Sequence, residues 1–573
     1  MKIRIKIVYI SFVAAFLLLV VRLLYWQIYK GGELAIAARS QYEGEQIFNA
    51  ERGDILASDG TWLAASVKAW QVHADLAKID ENHGKIADTL APLFVDNRQD
   101  KEKLLAEADR LKTLLNKDDV VWVLLKNKID DATKKTIETL NIAGIGFDPK
   151  ETRVYPEASA AAQLLGFVGK NSDGVDQGYF GLEGFYDFTL TGKPGFLSRQ
   201  EDASGNPILI GSQKEILATG GVDLVTTIDK SIQLIIEKKL VEGIQKYSAS
   251  GGTAIVMNPQ TGAILAMSSY PSYDPATYYN YGNEYFINPA VSLSFEPGSV
   301  FKVVVMASAL DAGVITPDTK CEICDGPHKI DKYSIETWNQ QYFPNSTMTD
   351  VIVHSDNVGM TFVSQKMGID PLYDYLTRFG IGQPTDVDLQ GELDPKLRDK
   401  KLWGVVDLAT ASFGQGVAVT PLQLIRAVSA IANKGVLVAP YVVQKIEKDG
   451  WEQDIIPSGN YKGTRVISEK SASEATAMMV AAAEYGEAKW TYKKGFGVAG
   501  KTGTAQIPIE GHYDAEKTIA SFVGFAPFDN PKFIMLITLK EPQSSPWASE
   551  TAAPMWYSIA DDLFLYFGMQ PKN

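Results

Sequence analysis

The chain has 573 residues, of which 45% are hydrophobic and 22% are charged, a composition typical of globular proteins. This length exceeds what one hydrophobic core accommodates, so we expect several folded units. The formal net charge of −14 opposes binding to a phosphate backbone, and we therefore expect no nucleic-acid partner.

The first element in chain order is a candidate membrane anchor. Residues 1–6 are predicted to form a basic cytoplasmic tail, and residues 7–29 an apolar transmembrane helix. The folded mass would then lie outside the cytoplasmic (inner) membrane, on a single-pass anchor with its N-terminus inside. A cleaved signal peptide is the alternative, because Ala35-Ile36-Ala37 resembles a cleavage site. Arg22 within the span hints at a membrane partner, since a charge there is costly when unpaired.

Residues 45–221 form a mixed, charge-rich segment in which we find no catalytic constellation. Apolar periodicity predicts helices at Lys101–Leu115 and Asp131–Leu140. Glycine-rich turns at Gly178–Gly181 and Gly192–Gly195 predict loops between short strands. Because no repeat period occurs, a solenoid is disfavoured, and we interpret the segment as a docking or pedestal-like module.

The segment 222–573 is predicted to be one α+β domain. A β-hairpin is indicated at residues 253–267, around an Asn-Pro-Gln-Thr-Gly turn, and a second one at residues 519–539. Between them, Thr420–Lys434 has the capping pattern of a helix. An amphipathic segment at Met555–Phe567 closes the chain. Strands at both ends with helices between them predict an antiparallel sheet packed against a helical region.

The first candidate for chemistry in this domain is a Ser-x-x-Lys pair. Pro297 and Gly298 indicate a helix start, so Ser299 and Lys302 lie one turn apart on the same face. A serine hydroxyl needs an adjacent base to attack, and a lysine kept neutral by burial or by a second cation can serve. The alternative is a capping serine beside a solvated lysine.

Two further motifs follow along the chain. Ser355 and Asn357 can project from one loop into a cleft, although an ordinary polar turn has the same composition. Lys501 begins a Lys-Thr-Gly-Thr run that is predicted to lie on an edge strand before the last hairpin. There Lys501 would supply a fixed positive charge, and Gly503 would permit close substrate approach. A plain β-turn is the alternative for this run.

Ser-x-x-Lys, Ser-x-Asn and Lys-Thr-Gly, in this order, form the signature of penicillin-binding proteins and class A β-lactamases. The sequence resembles a class B penicillin-binding protein over nearly its whole length. Other stretches similar to that family are Arg52–Leu56, Arg153–Pro156, Gly181–Glu183, Phe379–Gly382, Phe413–Gly416 and Thr420–Gln423. One departure is Ala57-Ser58, where the family often has a charged pair.

The resemblance implies a peptidoglycan D,D-transpeptidase that needs no cofactor and no metal. Ser299 would attack the D-Ala-D-Ala bond of a stem peptide, and Lys302 would take its proton. The other implied roles are proton transfer by Ser355 and Lys501, backbone binding by Asn357, carboxylate binding by Thr502 and Thr504, and an oxyanion hole from the N–H groups of Ser299 and Thr504.

The resemblance also implies the partners. They are peptidoglycan stem peptides, β-lactam antibiotics and a SEDS-family membrane glycosyltransferase, together with other cell-wall synthesis proteins. The Ser355–Gly359 stretch is closer to division-type (septal) enzymes than to elongation-type ones, with a sporulation or elongation role left open.

Two rival functions use the same motifs. A β-lactamase or D,D-carboxypeptidase would pass the acyl group to water, and Glu392 lies between the second and third motifs as a candidate activating residue. A non-catalytic scaffold that activates a membrane glycosyltransferase would keep only the fold. A histidine triad is disfavoured, and His354 beside Ser355 is interpreted as structural.

Only two cysteines occur, Cys321 and Cys324, with His328 nearby. Outside the cytoplasm a local disulfide or structural pair is expected. Metal binding or redox chemistry is the alternative, although no second cysteine pair completes a zinc site.

Overall fold

The computed structural model describes residues 2–79, 82–95, 97–200, 208, 213–455, 463–509 and 512–572. Its α-helices are α1 (Lys2–Leu24), α2 (Gly31–Tyr42), α3 (His83–Phe94), α4 (Lys101–Leu115), α5 (Asp131–Thr139), α6 (Ala162–Leu165), α7 (Gly181–Phe185), α8 (Asp187–Thr191), α9 (Lys230–Tyr247), α10 (Pro289–Ser292), α11 (Lys302–Asp311), α12 (Met348–Val353), α13 (Asn357–Met367), α14 (Ile369–Arg378), α15 (Val405–Ser412), α16 (Pro421–Ala432), α17 (Glu469–Tyr485) and α18 (Ala552–Tyr566). Its strands are β1 (Glu43–Phe48), β2 (Ile55–Leu56), β3 (Trp62–Asp75), β4 (Trp122–Ile129), β5 (Ile145–Val154), β6 (Phe167–Lys170), β7 (Asp176–Tyr179), β8 (Gly195–Gln200), β9 (Gln213–Ile216), β10 (Asp223–Thr226), β11 (Gly251–Met257), β12 (Ile264–Tyr270), β13 (His328–Ile330), β14 (Tyr333–Ile335), β15 (Val436–Leu437), β16 (Val443–Lys448), β17 (Trp451–Asp454), β18 (Thr464–Arg465), β19 (Ala499–Ile509), β20 (His512–Ala526) and β21 (Phe533–Lys540).

The chain divides into two compact units, of which the first comprises Met1–Arg52 and Thr191–Gly221. It contains α1, α2 and the antiparallel sheet β1-β8-β9. α1 runs into a short π-helical turn, and together they form a 28-residue helix, Lys2–Tyr29, that is long and apolar enough to cross a membrane. Its side chains are not covered by protein, as expected for a helix that faces lipid.

The second unit comprises Gly53–Leu190 and Val222–Asn573. A sheet with the order β17-β16-β10-β2-β3-β4, in which β5 also pairs with β3, runs through both parts of this unit. The parallel pairing of β2 with β10 joins them, with Leu224 opposite Ile55. The sheet is therefore continuous across position 221, where the sequence indicates a change of module.

The predicted antiparallel sheet is present, with the strand order β12-β11-β21-β20-β19. Both predicted hairpins are confirmed, as β11–β12 and β20–β21. β11 also pairs with β21, which brings the beginning and the end of the domain together. The strand β19, which carries Lys501, lies at the edge of the sheet.

Both faces of this sheet are buried. Along β11, Ala254 and Val256 belong to one hydrophobic core with α9 and α18, whereas Ile255 and Met257 belong to another with the helices that follow β12. This alternation follows from the two-residue period of a strand. It explains why the strands are apolar throughout rather than amphipathic.

The predicted helices are confirmed with small shifts at their ends. α4 has the predicted bounds, and α5 ends one residue early. Thr420 caps α16, and its reciprocal hydrogen bonds with Gln423 form a capping box. The final helix, α18, begins at Ala552, before the predicted Met555.

The two cysteines form a disulfide, Cys321–Cys324, with Cα atoms 5.7 Å apart. Because the sulfurs are bonded to each other, they are not available as metal ligands in this state. The disulfide is buried in the helical part of the second unit. The expectation of a local disulfide or structural pair is therefore confirmed.

Candidate active site

Ser299 lies in a short 3₁₀ turn, Gly298–Phe301, that leads directly into α11. The turn begins at Gly298, whose φ of +56° is a conformation that glycine adopts without strain. The N–H of Gly298 donates to the carbonyl of Gly414 at 3.2 Å, so the Phe413–Gly416 stretch supports the nucleophile turn. Ser299 is partly exposed. Ser299 is thus carried on a hydrogen-bonded turn and is partly accessible to solvent.

Lys302, one turn further on, is fully buried. Its Nζ donates to the carbonyl oxygen of Ser355 at 2.6 Å and to Oδ1 of Asn357 at 2.8 Å. The hydroxyl of Ser355 lies 3.3 Å from the same Nζ. The first two motifs therefore meet at this amine.

The second motif lies at the junction of two helices: Ser355 and Asp356 form a loop, as predicted, whereas Asn357 is the first residue of α13. Ser355 follows α12 with a φ of +56°, and Asp356 caps α13 by accepting from the N–H groups of Val358 and Gly359. A left-handed serine is uncommon and is maintained only where the surroundings impose it. The side-chain NH₂ of Asn357 donates to the carbonyl of Glu336 at 3.0 Å.

Lys501 approaches Ser355 from the sheet. Its Nζ is buried and donates to Oγ of Ser355 at 3.0 Å, and to the carbonyl and hydroxyl oxygens of Thr502, both at 3.1 Å. The Ser355 hydroxyl therefore lies between two lysine amines. The structure thus brings all three motifs together around one hydroxyl.

Gly503 allows β19 to approach the nucleophile turn. A Cβ at this position would lie 2.6 Å from Cγ2 and 2.9 Å from the backbone nitrogen of Val300, the residue after Ser299. The strand and the turn are therefore in direct backbone contact. Only glycine permits this distance.

The two threonines of the third motif differ in their surroundings. The hydroxyl of Thr502 donates to Oε2 of Glu487 at 2.9 Å, so its single proton is not available to a substrate carboxylate. The hydroxyl of Thr504 accepts from the N–H of Ala548 at 3.1 Å and keeps its own proton. Thr504 is also more exposed than Thr502. The geometry therefore favours Thr504 for the predicted carboxylate contact.

Burial and mutual repulsion alter the protonation of the two amines. Burial, followed by the charge of Lys501, lowers the pKa of Lys302 from its ordinary value of 10.5 to about 7, against a smaller opposing effect of Glu487 and Asp356. Burial also lowers the pKa of Lys501, while Glu487 opposes this change. A lysine with a pKa near neutrality can act as a general base for an adjacent serine.

Two features of the site were missed by the sequence analysis. Glu487 lies in no recognised motif, and its carboxylate accepts a hydrogen bond from Thr502. Trp338 and Trp547 form an aromatic pair, with ring centroids 5.0 Å apart and both rings partly exposed. Trp338 lies two residues after Glu336, whose carbonyl accepts from Asn357, and Trp547 directly precedes Ala548, whose N–H donates to Thr504. The pair therefore connects the two sides of the site.

The residues considered for the rival functions have structural partners. The carboxylate of Glu392 accepts from the backbone and hydroxyl of Thr385 and from the N–H of Asp386, which commits both of its oxygens to a turn. His354 stacks on Phe343 with ring centroids 3.9 Å apart. Neither side chain therefore supplies a base to Ser299 in this arrangement.

Comparison with known proteins identifies two regions that match protein families. The family described as "Penicillin binding protein transpeptidase domain" matches residues 252–561, and "Penicillin-binding Protein dimerisation domain" matches residues 47–226. The chain is 30% identical to Stage V sporulation protein D of Bacillus subtilis over 572 residues, covering 100% of the chain and 86% of that protein. It is 28% identical to peptidoglycan D,D-transpeptidase FtsI of Escherichia coli K12 over 536 residues, covering 92% and 85%.

Solved structures are similar along almost the whole chain. A peptidoglycan synthetase from Bifidobacterium adolescentis superposes with a TM-score of 0.72 at 27% identity, covering 93% of this chain and 98% of that one. Penicillin binding protein 3 from Mycobacterium tuberculosis, in complex with aztreonam, gives a TM-score of 0.70 at 25% identity, covering 92% and 98%.

Proposed function

The chain belongs to the penicillin-binding protein family, with a dimerisation domain before a transpeptidase domain, and from this premise we propose that Ser299 is the nucleophile that becomes acylated. The protein is a serine-type peptidoglycan D,D-transpeptidase of class B. Its fold is the α+β penicillin-binding fold with an N-terminal module and one apolar helix that is a candidate membrane span. It binds peptidoglycan stem peptides and β-lactams.

The acylation step uses the two amines in different roles. Oγ of Ser299 attacks the carbonyl carbon between the two D-alanines, and its proton passes to the neutral amine of Lys302. The backbone N–H groups of Ser299 and Thr504 stabilise the oxyanion, each contributing about 3 kcal/mol. The C–N bond then breaks, and the departing D-alanine amine receives a proton through Ser355 from Lys501. Asn357 binds the substrate backbone, and Thr504 binds the terminal carboxylate.

The second step transfers the acyl group. The amine of another stem peptide attacks the ester carbon and gives up a proton through Ser355 to Lys501. A new amide forms as the bond to Oγ of Ser299 breaks, and Lys302 returns its proton to that oxygen. A β-lactam enters the same first step, but its leaving nitrogen stays attached to the acyl group. The adduct therefore persists on Ser299.

One observation carries the assignment of these residues. Oγ of Ser355 lies 3.3 Å from Nζ of Lys302 and 3.0 Å from Nζ of Lys501, so one hydroxyl links the base to the second ammonium. Such a link provides a path for a proton between the two amines. A hydrolase would need in addition a base for water, and Glu392, the candidate for that role, is bonded in a turn.

Labelling with a fluorescent penicillin tests the proposal. We expect one adduct per chain, located on the peptide that contains Ser299, with a lifetime of many minutes. Intact-mass and peptide mass spectrometry measure the site, and loss of fluorescence measures the lifetime. A label elsewhere would refute the assignment, whereas an adduct that is lost within seconds would favour the hydrolase.

Replacing Gly503 with alanine is expected to slow acylation by about 10-fold to 100-fold, because the added Cβ must push the Ser299 turn away from β19. The measurement is the second-order rate constant for the fluorescent penicillin. Gly326→Ala is the matched control, since its Cβ would meet no atom within 4 Å. Equal rates for the two variants would contradict the close approach.

The protein is a single-pass membrane protein, and we propose an orientation with the N-terminus in the cytoplasm and the catalytic domain outside the inner membrane. The basic residues Lys2, Arg4 and Lys6 support this orientation through the positive-inside rule. Glycan strands must be polymerised before they are cross-linked. We therefore propose a SEDS-family glycosyltransferase as the membrane partner, in septal cell-wall synthesis, and Arg22 within the helix suits a contact with such a partner.

A further inference from the structure

Glu487 is positioned near the site by a tight turn at the end of α17. α17 ends at Tyr485, and Gly486 caps it by donating its N–H to the carbonyl of Ala482. A Cβ on Gly486 would lie 2.3 Å from that carbonyl oxygen and 3.0 Å from the carbonyl oxygen of Val353, so the turn packs against the end of α12. Glu487 follows and is only partly exposed. Its position is therefore set by two helices.

A chain of hydrogen bonds connects Glu487 to the proton-transfer groups. The Thr502 hydroxyl donates to Glu487 at 2.9 Å and accepts from Nζ of Lys501 at 3.1 Å. Nζ of Lys501 also donates to the Thr502 carbonyl and to Oγ of Ser355. These three oxygens match the three N–H donors of an ammonium group. The surroundings of Lys501 are thus those of a charged amine.

The surroundings of Lys302 differ. Two short hydrogen bonds, to the carbonyl of Ser355 and to Asn357, use two N–H donors. The third neighbour, Oγ of Ser355, is longer at 3.3 Å and already accepts from Lys501. Lys302 therefore needs no third N–H donor at this position. A neutral amine, with two donors and one lone pair, fits this arrangement.

We propose that Glu487 is a positioning residue that, through the Thr502 hydroxyl, keeps Lys501 as the ammonium of the pair and leaves Lys302 as the neutral base. The inference rests on the proposed acylation at Ser299 and adds what decides the location of the proton. Glu487 touches neither the nucleophile nor the substrate in this role. It acts through Thr502 and Lys501.

The charge of Glu487 acts on both amines, but at Lys302 burial and the charge of Lys501 outweigh it. Glu487 raises the pKa of both lysines against the effect of burial, and Asp356 also raises the pKa of Lys302. The other charged groups on the adjoining segments have their own partners or face solvent. Among the described residues these are Asp350, which bonds Thr347, His354, which stacks on Phe343, Glu484, which bonds Tyr485, and the exposed Lys489.

Glu487→Gln tests the proposal in the full chain, because glutamine can still accept from Thr502 but carries no charge. Acylation by a fluorescent penicillin should rise with pH as Lys302 loses its proton and fall at high pH as Lys501 loses its own. Without the negative charge of Glu487 the ammonium form of Lys501 is less favourable. We therefore expect the alkaline limb of the profile to move to lower pH by about one unit or more. The acid limb moves less, because Glu487 is bonded to Thr502 beside Lys501.

Matched variants separate this role from a structural one. Glu484→Gln, on α17, should leave the pH profile unchanged. Thr502→Val, which removes the linking hydroxyl, should shift the alkaline limb in the same direction, and Thr502→Ser should restore it. Thermal unfolding verifies that each variant is folded, and the threonine pair decides the question if Glu487→Gln does not fold.

The outcomes are distinguishable from failure of the proposed function. An unshifted alkaline limb in folded Glu487→Gln, or equal profiles for Thr502→Val and Thr502→Ser, would overturn the role of Glu487 while acylation of the wild-type protein persists. Absence of a Ser299 adduct in the wild-type protein would instead refute the function itself.

Discussion

Replacing Ser299 with alanine is expected to abolish covalent labelling by a penicillin and to lower cross-linking by at least about 10³-fold. The reason is that the reaction passes through an ester on Oγ, and the variant has no atom with which to form it. The structure carries Ser299 on a turn that is held by Gly298 and Gly414, so removing one hydroxyl should not disturb the backbone. Intact-mass spectrometry after incubation with a fluorescent penicillin measures the adduct.

The control for this variant is Ser294→Ala, because Ser294 is an exposed serine a few residues before the turn. It should be labelled at the wild-type rate. Thermal unfolding should give similar midpoints for the wild-type protein and both variants. An adduct retained in Ser299→Ala would show that another nucleophile reacts, and the mechanism would then have to be rebuilt around that residue.

Much of the transpeptidase fold could be predicted from the sequence because its signals are local. The two hairpins follow from apolar runs on either side of turn residues, and the beginning of α16 follows from Thr420 and Pro421. The motif residues could be named for the same reason, since each group is contiguous in the chain. Their order supplied the resemblance, and the resemblance supplied their roles.

The long-range pairings could not be predicted in this way. β10 and β16 continue the sheet of β2 and β3, although no local pattern distinguishes such partners from other short strands. Likewise, Glu487 has no motif around it and reaches Thr502 because α17 packs beside β19. The separate environments of Thr502 and Thr504 arise from these tertiary contacts, and a single sequence does not contain them in readable form.

Lys302→Met is expected to lower acylation by at least about 10³-fold, because the variant has no base to accept the Ser299 proton. Methionine fills the volume of the lysine stem with an unbranched, adaptable side chain. Residual acylation should lose the rise with pH near about 7 that we expect for the wild-type protein, since that rise would report the pKa of Lys302. The measurement is the acylation rate constant between about pH 5 and 10.

The same substitution should also show by how much the buried amine of Lys302 lowers the stability of the folded protein. The pKa of Lys302 falls from 10.5 to about 7 on folding, so below pH 7 the folded state carries the full cost of holding a buried charge. Between these two values the unfolded chain binds one more proton than the folded protein, and wild-type stability rises with pH. The difference in unfolding midpoint, Lys302→Met minus wild type, should therefore be largest below pH 7 and decline towards pH 10. A difference that does not vary with pH would contradict the lowered pKa and, with it, the assignment of Lys302 as the base.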